Sequence, residues 1–164
     1  MSGLRFLALP TPLARAYRNG EPDAYGRRPE RGASDGSGLP CRHCLGDIEA
    51  GEEYFVLAYR PFATEQPYAE TGPIFLHARD CERYPSTSLV PEAFLKRPRM
   101  MVRGYDAGES IVYGTGAIVP TEALLEGAAS ILSDPRVDFV HVRSATNGCF
   151  QCRIDVGSRQ ATKR

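Results

Sequence analysis

Four residues in this chain have the types and spacing of metal ligands. Cys41 and Cys44 stand in "CRHCLGD" with two residues between them, and His77 and Cys81 stand in "IFLHARDCERY" four positions apart. Thiolate and imidazole are the soft and borderline donors that zinc takes in a closed tetrahedral site. The Cys-x-x-Cys turn supplies one edge of such a tetrahedron. His77 and Cys81 supply the other if a helix starts there, since residues four apart share a helix face. Zinc held by Cys41, Cys44, His77 and Cys81 leaves no position for water, so the site would be structural rather than catalytic. A redox role for Cys41 and Cys44 is the sharper alternative, but such a pair opens a helix after a strand, whereas this one follows a Gly- and Pro-rich stretch. Ordinary buried thiols and a core histidine are the plainest alternative. His43, inside the pair, is expected to face solvent or to act as a spare ligand. Gly46 is expected to turn the chain so that backbone N–H groups point at the sulfurs.

A second constellation lies near the C-terminus. If "VDFVHVRS" pairs antiparallel with "CFQCRIDV", Arg143 facing Cys149, alternation puts Val140, Val142, Phe150, Cys152 and Ile154 on the core face. His141, Arg143, Cys149, Gln151, Arg153 and Asp155 then share the other face. A thiol at Cys149 beside Arg143 and His141 could serve as a nucleophile, with His141 as base and Arg143 holding an anion. Set against that, outer sheet faces commonly carry Arg, Asp and His because they are solvated or paired. Cys152 reads as a small buried hydrophobe.

The elements that must carry these groups follow from pattern. "GLRFLAL" alternates as a first strand, and Thr11 with Pro12 behind it starts a helix over "PLARAY". "EYFVLAY" and "GPIFLH" are short strands, and "RMMVRGY" with "ESIVYGTGAIV" form a hairpin turned by Asp106, Ala107 and Gly108. The two glycines of "YGTG" read as a strand bulge rather than a phosphate loop. Thr121 is placed to cap "EALLEGAASILS", whose apolar residues make one helical face. The expected fold is α+β, a largely antiparallel sheet with two or three helices and a zinc-knuckle insertion. It is expected as a single domain over residues 1–164, with a long loop at 18–40 and a frayed tail at 157–164.

Twenty basic and twenty acidic residues cancel, and neither sign gathers into a run, which disfavours a nucleic-acid partner and an anionic membrane surface. Pro10 and Pro12 break the only apolar stretch near the N-terminus, and five cysteines, an odd number, argue for reduced thiols or metal ligands rather than disulfides. A cytoplasmic location is expected.

Residues 41–84 resemble a treble-clef zinc site, in which a knuckle, a hairpin and a helix start share the ion. Over nearly the whole chain, "GLPCRHCL", "YAETGPIFLHARDCERY", "VRGYDAG" and "DPRVDFVHVRSATNGCFQCRID" resemble a bacterial family known as domain of unknown function 1203. That resemblance implies a small cytoplasmic bacterial protein and assigns no functional residues. The expected function is a zinc-stabilised binding or accessory module for a small molecule or another protein. A thiol-dependent transferase or hydrolase using Cys149 is the alternative.

Overall fold

The computed structural model describes residues 3–157, so the tail expected to fray lies, from residue 158 on, outside the described residues. Contacts gather the chain into two compact units, one running to Leu7 and resuming at Pro85, the other spanning Ala8–Tyr84. The Cys/His region is thus inserted between the first strand and the rest of the sheet to which that strand belongs.

In the first unit, strands β1 (Leu4–Leu7), β7 (Arg99–Tyr105), β8 (Ala117–Pro120), β9 (Phe139–Ser144) and β10 (Phe150–Val156) form one antiparallel sheet in the order β1-β10-β9-β7-β8. Helix α2 (Leu124–Leu132) packs against β7, β8 and β9 and buries Leu124, Ala128 and Leu132. Phe6, Met100, Val102, Val140, Val142, Cys152 and Ile154 are buried apolar residues of these strands. Gly104 on β7 permits the close approach, because a Cβ there would lie 2.7 Å from Ile131 Cγ2 and 3.1 Å from Val137 Cγ2. Gly104→Val therefore overpacks this contact, and its expected cost of about 1–3 kcal/mol is read as a lowered thermal unfolding midpoint.

Two local expectations give way to stronger competitors. Thr121 does not cap α2; a 3-10 turn over Thr121–Ala123 precedes the helix, and the Thr121 hydroxyl donates to the Arg97 carbonyl instead. The β7–β8 hairpin does turn at Asp106, whose Oδ1 accepts the Gly108 and Ser110 amides at 2.9 Å. Beyond the Tyr105–Ile111 bridge, however, the chain leaves the ladder and rejoins it only at Ala117 opposite Val102. Thr115 fills the gap, its Oγ1 accepting the Gly104 amide and donating to the Val112 carbonyl.

The second unit begins with helix α1 (Thr11–Arg18) and holds a three-stranded antiparallel sheet in the order β2-β5-β6. Its strands are β2 (Glu30–Ala33), β5 (Glu53–Tyr59) and β6 (Gly72–His77), so the region 18–40 is not wholly a loop: charged β2 lies along one edge of β5. Two-residue strands β3 (Leu39–Pro40) and β4 (Asp47–Ile48) pair as a knuckle. Leu9, Ala14, Cys41, Ile48, Leu57, Ile74 and Leu76 form its core.

Candidate metal centre

The knuckle presents Cys41 and Cys44 through a tight reversal in which the Cys41 amide donates to the Gly46 carbonyl at 2.8 Å and the Leu45 amide to the Cys41 carbonyl at 2.9 Å. Gly46 N–H does point at Cys44 Sγ, at 3.4 Å. The left-handed residue of the turn is Leu45, at φ 58°, rather than Gly46. A non-glycine residue there costs roughly 1–2 kcal/mol, and burial of the Leu45 side chain, 2% exposed, offsets it.

His77 is the last residue of β6, and Cys81 lies in irregular chain beyond it. The expected helix is absent: the three intervening residues turn back without a helical turn, so the knuckle and hairpin of a treble clef are present and a loop stands in the place of the helix start. The four side chains nevertheless converge. One ligand atom from each of Cys41, Cys44, His77 and Cys81 lies within 4.8 Å of the others, and none of the cysteines is in a disulfide. Cys41 Sγ is 3.8 Å from Cys81 Sγ, and Cys44 Sγ is 3.6 Å from His77 Nδ1. The cluster can hold a metal ion.

Around these four stands a layer of groups that fixes them. His77 turns Nδ1 to the cluster and Nε2 to Glu52 Oε1 at 3.4 Å, while Glu52 Oε2 accepts Arg79 Nε at 2.8 Å. A carboxylate on the far nitrogen fixes the tautomer and orientation of a ligand imidazole. The His77 amide donates to Cys41 Sγ at 3.4 Å. Cys81 Sγ is approached by Arg18 Nη2 and by His43 Nδ1, each at 3.1 Å. Arg18 also donates from Nε to the His77 carbonyl at 2.9 Å.

His43 is therefore neither solvent-facing nor a ligand. It is 1% exposed, and burial with the nearby Arg18 charge pushes its pKa down, which keeps the ring neutral. With its proton on Nδ1 it donates to Cys81 Sγ, and Nε2 accepts the Thr11 hydroxyl at 2.9 Å. The sequence pattern gave Arg18 and Glu52 no role, and Thr11 only that of a helix start. For Thr11 and Arg18 a signal exists: seven residues apart on α1, they lie on one face two turns apart.

Protons and metal compete for the cluster. Hydrogen bonds from the Cys44 and Cys81 thiols push Cys41 far down, and the Cys41 and Cys81 thiols push Cys44 far up. His77 is pushed up to about 9 by its hydrogen bonds to Cys41 and Cys81. Ligation requires thiolates and a neutral imidazole, so these protons leave as a metal ion enters.

The second constellation is built on a different register from the expected one, with Arg143 opposite Phe150 rather than Cys149. A bulge between Phe150 and Cys152 sets Phe150 opposite Arg143, and its ring lies 4.8 Å from the His141 ring. Phe150 thus leaves the expected core face, while Cys152 opposite Val142 and Ile154 opposite Val140 keep it. The Cys149 thiol precedes β10 and turns to the Asn147 carbonyl at 3.9 Å. His141, 1% exposed, is enclosed by Tyr105, Phe139 and Phe150 at ring distances of 4.7, 5.2 and 4.8 Å. Arg143 Nη1 donates to the Gly148 carbonyl at 2.9 Å.

Burial, with the charges of Arg143, Arg153 and Arg103, pushes His141 well below its ordinary 6.5. The folded protein keeps it neutral where the unfolded chain is protonated. Its contribution is therefore intact above pH ~6.5 and is lost as pH falls, at about 1.4 kcal/mol per pH unit, until the folded-state value is reached. Urea midpoints measured from neutral pH downward should fall more steeply for the native chain than for His141→Gln.

A family described as protein of unknown function (DUF1203) matches residues 38–156, and the chain belongs to that family. No curated protein and no solved structure matches it. Among the described residues no helix is long and apolar enough to cross a membrane.

Proposed function

We propose that the cluster holds one structural zinc ion, and that the protein is a cytoplasmic accessory module whose zinc-stabilised unit binds a small molecule or another protein. Two edges of the ligand set, within a cluster whose four ligand atoms lie within 4.8 Å of one another, support zinc. A tetrahedron with Zn–S near 2.3 Å and Zn–N near 2.05 Å has S···S edges of about 3.8 Å and S···N edges of about 3.6 Å. The side chains stand at 3.8 Å for Cys41–Cys81 and 3.6 Å for Cys44–His77. Zinc would serve as a cross-link between knuckle and hairpin, with all four positions filled by protein. Three thiolates and a neutral imidazole leave the zinc site with a net charge of about −1, which the Arg18 guanidinium at 3.1 Å from Cys81 balances.

Elemental analysis of the purified protein tests this. One zinc per chain, retained through gel filtration, is expected; a substoichiometric metal that exchanges freely, or iron in place of zinc, overturns it.

A further inference from the structure

The inserted unit carries a cleft of about 400 Å³ lined by none of the four ligand residues and by none of the groups hydrogen-bonded to them. That volume lies in the range of small-molecule sites, roughly 300–1,000 Å³. Leu57 and Ala58 of β5 with Gly72 and Pro73 of β6 contribute apolar lining. Gly72 leaves room, since a Cβ there would meet no heavy atom within 4 Å.

One wall is the turn at residues 23–28, and Asp23 fixes it to the sheet. Its Oδ1 accepts the Tyr25 and Arg27 amides at 2.9 and 3.0 Å, and its Oδ2 accepts the Ala58 amide at 3.0 Å. The Ala24 amide returns a bond to the Ala58 carbonyl at 3.0 Å. The wall is thus held in place by backbone bonds, which lowers the ordering cost of receiving a ligand.

Four charged side chains line the cleft, two of each sign: Asp23, Arg27, Arg28 and Glu30. Asp23 is turned to backbone amides, and Arg27 lies 4.0 Å from Glu30. Arg28 remains. Its guanidinium lies over Gly20, which a Cβ would bring to 2.6 Å of Nη2, and it forms no hydrogen bond or ion pair among the described residues. Tyr25, 68% exposed, stands on the same wall and offers an aromatic face.

We propose that this cleft binds a small organic anion, an apolar body seated on β5 and β6 with a single carboxylate or sulfonate on Arg28. This rests on the binding-module part of the function proposed above and is independent of the metal. The test uses two dyes with the same ring system, anionic anilinonaphthalene sulfonate and neutral phenylnaphthylamine, titrated into the full chain and followed by fluorescence. Saturable binding of one sulfonate dye per chain is expected, tighter than for the neutral dye. Arg28→Ala should weaken the sulfonate about tenfold and remove that preference. Gly72→Leu, which adds a side chain where there is space, should abolish binding of both dyes with the circular dichroism spectrum and zinc content unchanged. Absence of saturable binding, or equal binding by the native chain and Arg28→Ala, overturns the proposal, and Arg28→Ala alone decides if Gly72→Leu perturbs the fold. Zinc content measured on the same preparations separates failure of this cleft from failure of the metal reading.

Discussion

Cys41→Ser should abolish stoichiometric zinc binding and unfold the inserted unit. Cys41 is fully buried, forms a β-bridge with Phe75, accepts the His77 amide on its sulfur and belongs to the core of that unit. It thus joins the knuckle to β6 through backbone and packing together, and through the metal as well in the proposed zinc site. Structural zinc contributes apparent binding energies on the order of 10 kcal/mol at neutral pH, comparable with the entire stability of an ordinary domain, about 5–15 kcal/mol. The apolar cluster beside it holds seven buried residues, alanine and cysteine among them, with Tyr17, Tyr54, Tyr59 and Phe75 partly buried against it. Hydrogen exchange reads the outcome by region. Amides of β5 and β6 should lose protection in Cys41→Ser, and those of β7, β9 and β10 should keep theirs. Full protection of β5 and β6 in the zinc-free variant would show that packing alone holds this unit.

Arg18→Met should lower zinc affinity by about 10–100-fold while leaving all four ligands in place. The Arg18 side chain, 8% exposed, spans from the end of α1 to the Cys81 sulfur and the His77 carbonyl. Methionine retains much of the packing and removes the positive charge and both donors. The thiolate then loses its nearest cation, and a carbonyl on the His77 backbone loses its partner, a type of loss that costs about 1–3 kcal/mol. Arg18→Lys keeps the charge but cannot supply both bonds, so it should fall between. Arg15→Met, on an exposed position of the same helix, should be silent. Competition titrations against a zinc chelator give the affinities, and equal values for Arg18→Met and the native chain would remove Arg18 from the site's energetics.

The Cys/His cluster was legible in the sequence because each pair declares itself at short range, and the alternating strands that carry it are equally local signals. Its surroundings were not. Glu52 meets His77 only because the β5–β6 pairing brings the start of one strand beside the end of the other, with Tyr54 opposite His77. Arg18 reaches Cys81 across 63 positions of chain. His43 was misread because a residue between two ligands looks exposed on paper, whereas here its carbonyl takes the Tyr84 amide and its ring is enclosed. The helix expected between His77 and Cys81 failed for a related reason: spacing is compatible with a helical turn, but a three-residue loop serves the same geometry. At β10 a single extra residue moved Phe150 to the opposite face. Strict alternation has no means to foresee a bulge, and with it went the expected pairing of Arg143 with Cys149.

The insertion also sets an order of assembly. β1 is made first and pairs with β10, with Arg5 bonded to Asp155 across 150 positions. At about 5–20 residues per second of synthesis, the strand Leu4–Leu7 waits on the order of 10 s or more for its partner. Between these two events the whole of Ala8–Tyr84 emerges, with all four residues of the Cys/His cluster inside it. A nascent chain can therefore close its metal centre while the five-stranded sheet still lacks four of its strands, and the Phe6 amide finds the Thr87 carbonyl at 2.8 Å soon after that unit is complete. If the proposed zinc completes that unit, metal supply during translation, rather than afterwards, decides whether the first strand waits on the ribosome beside an unfolded segment or beside a finished one.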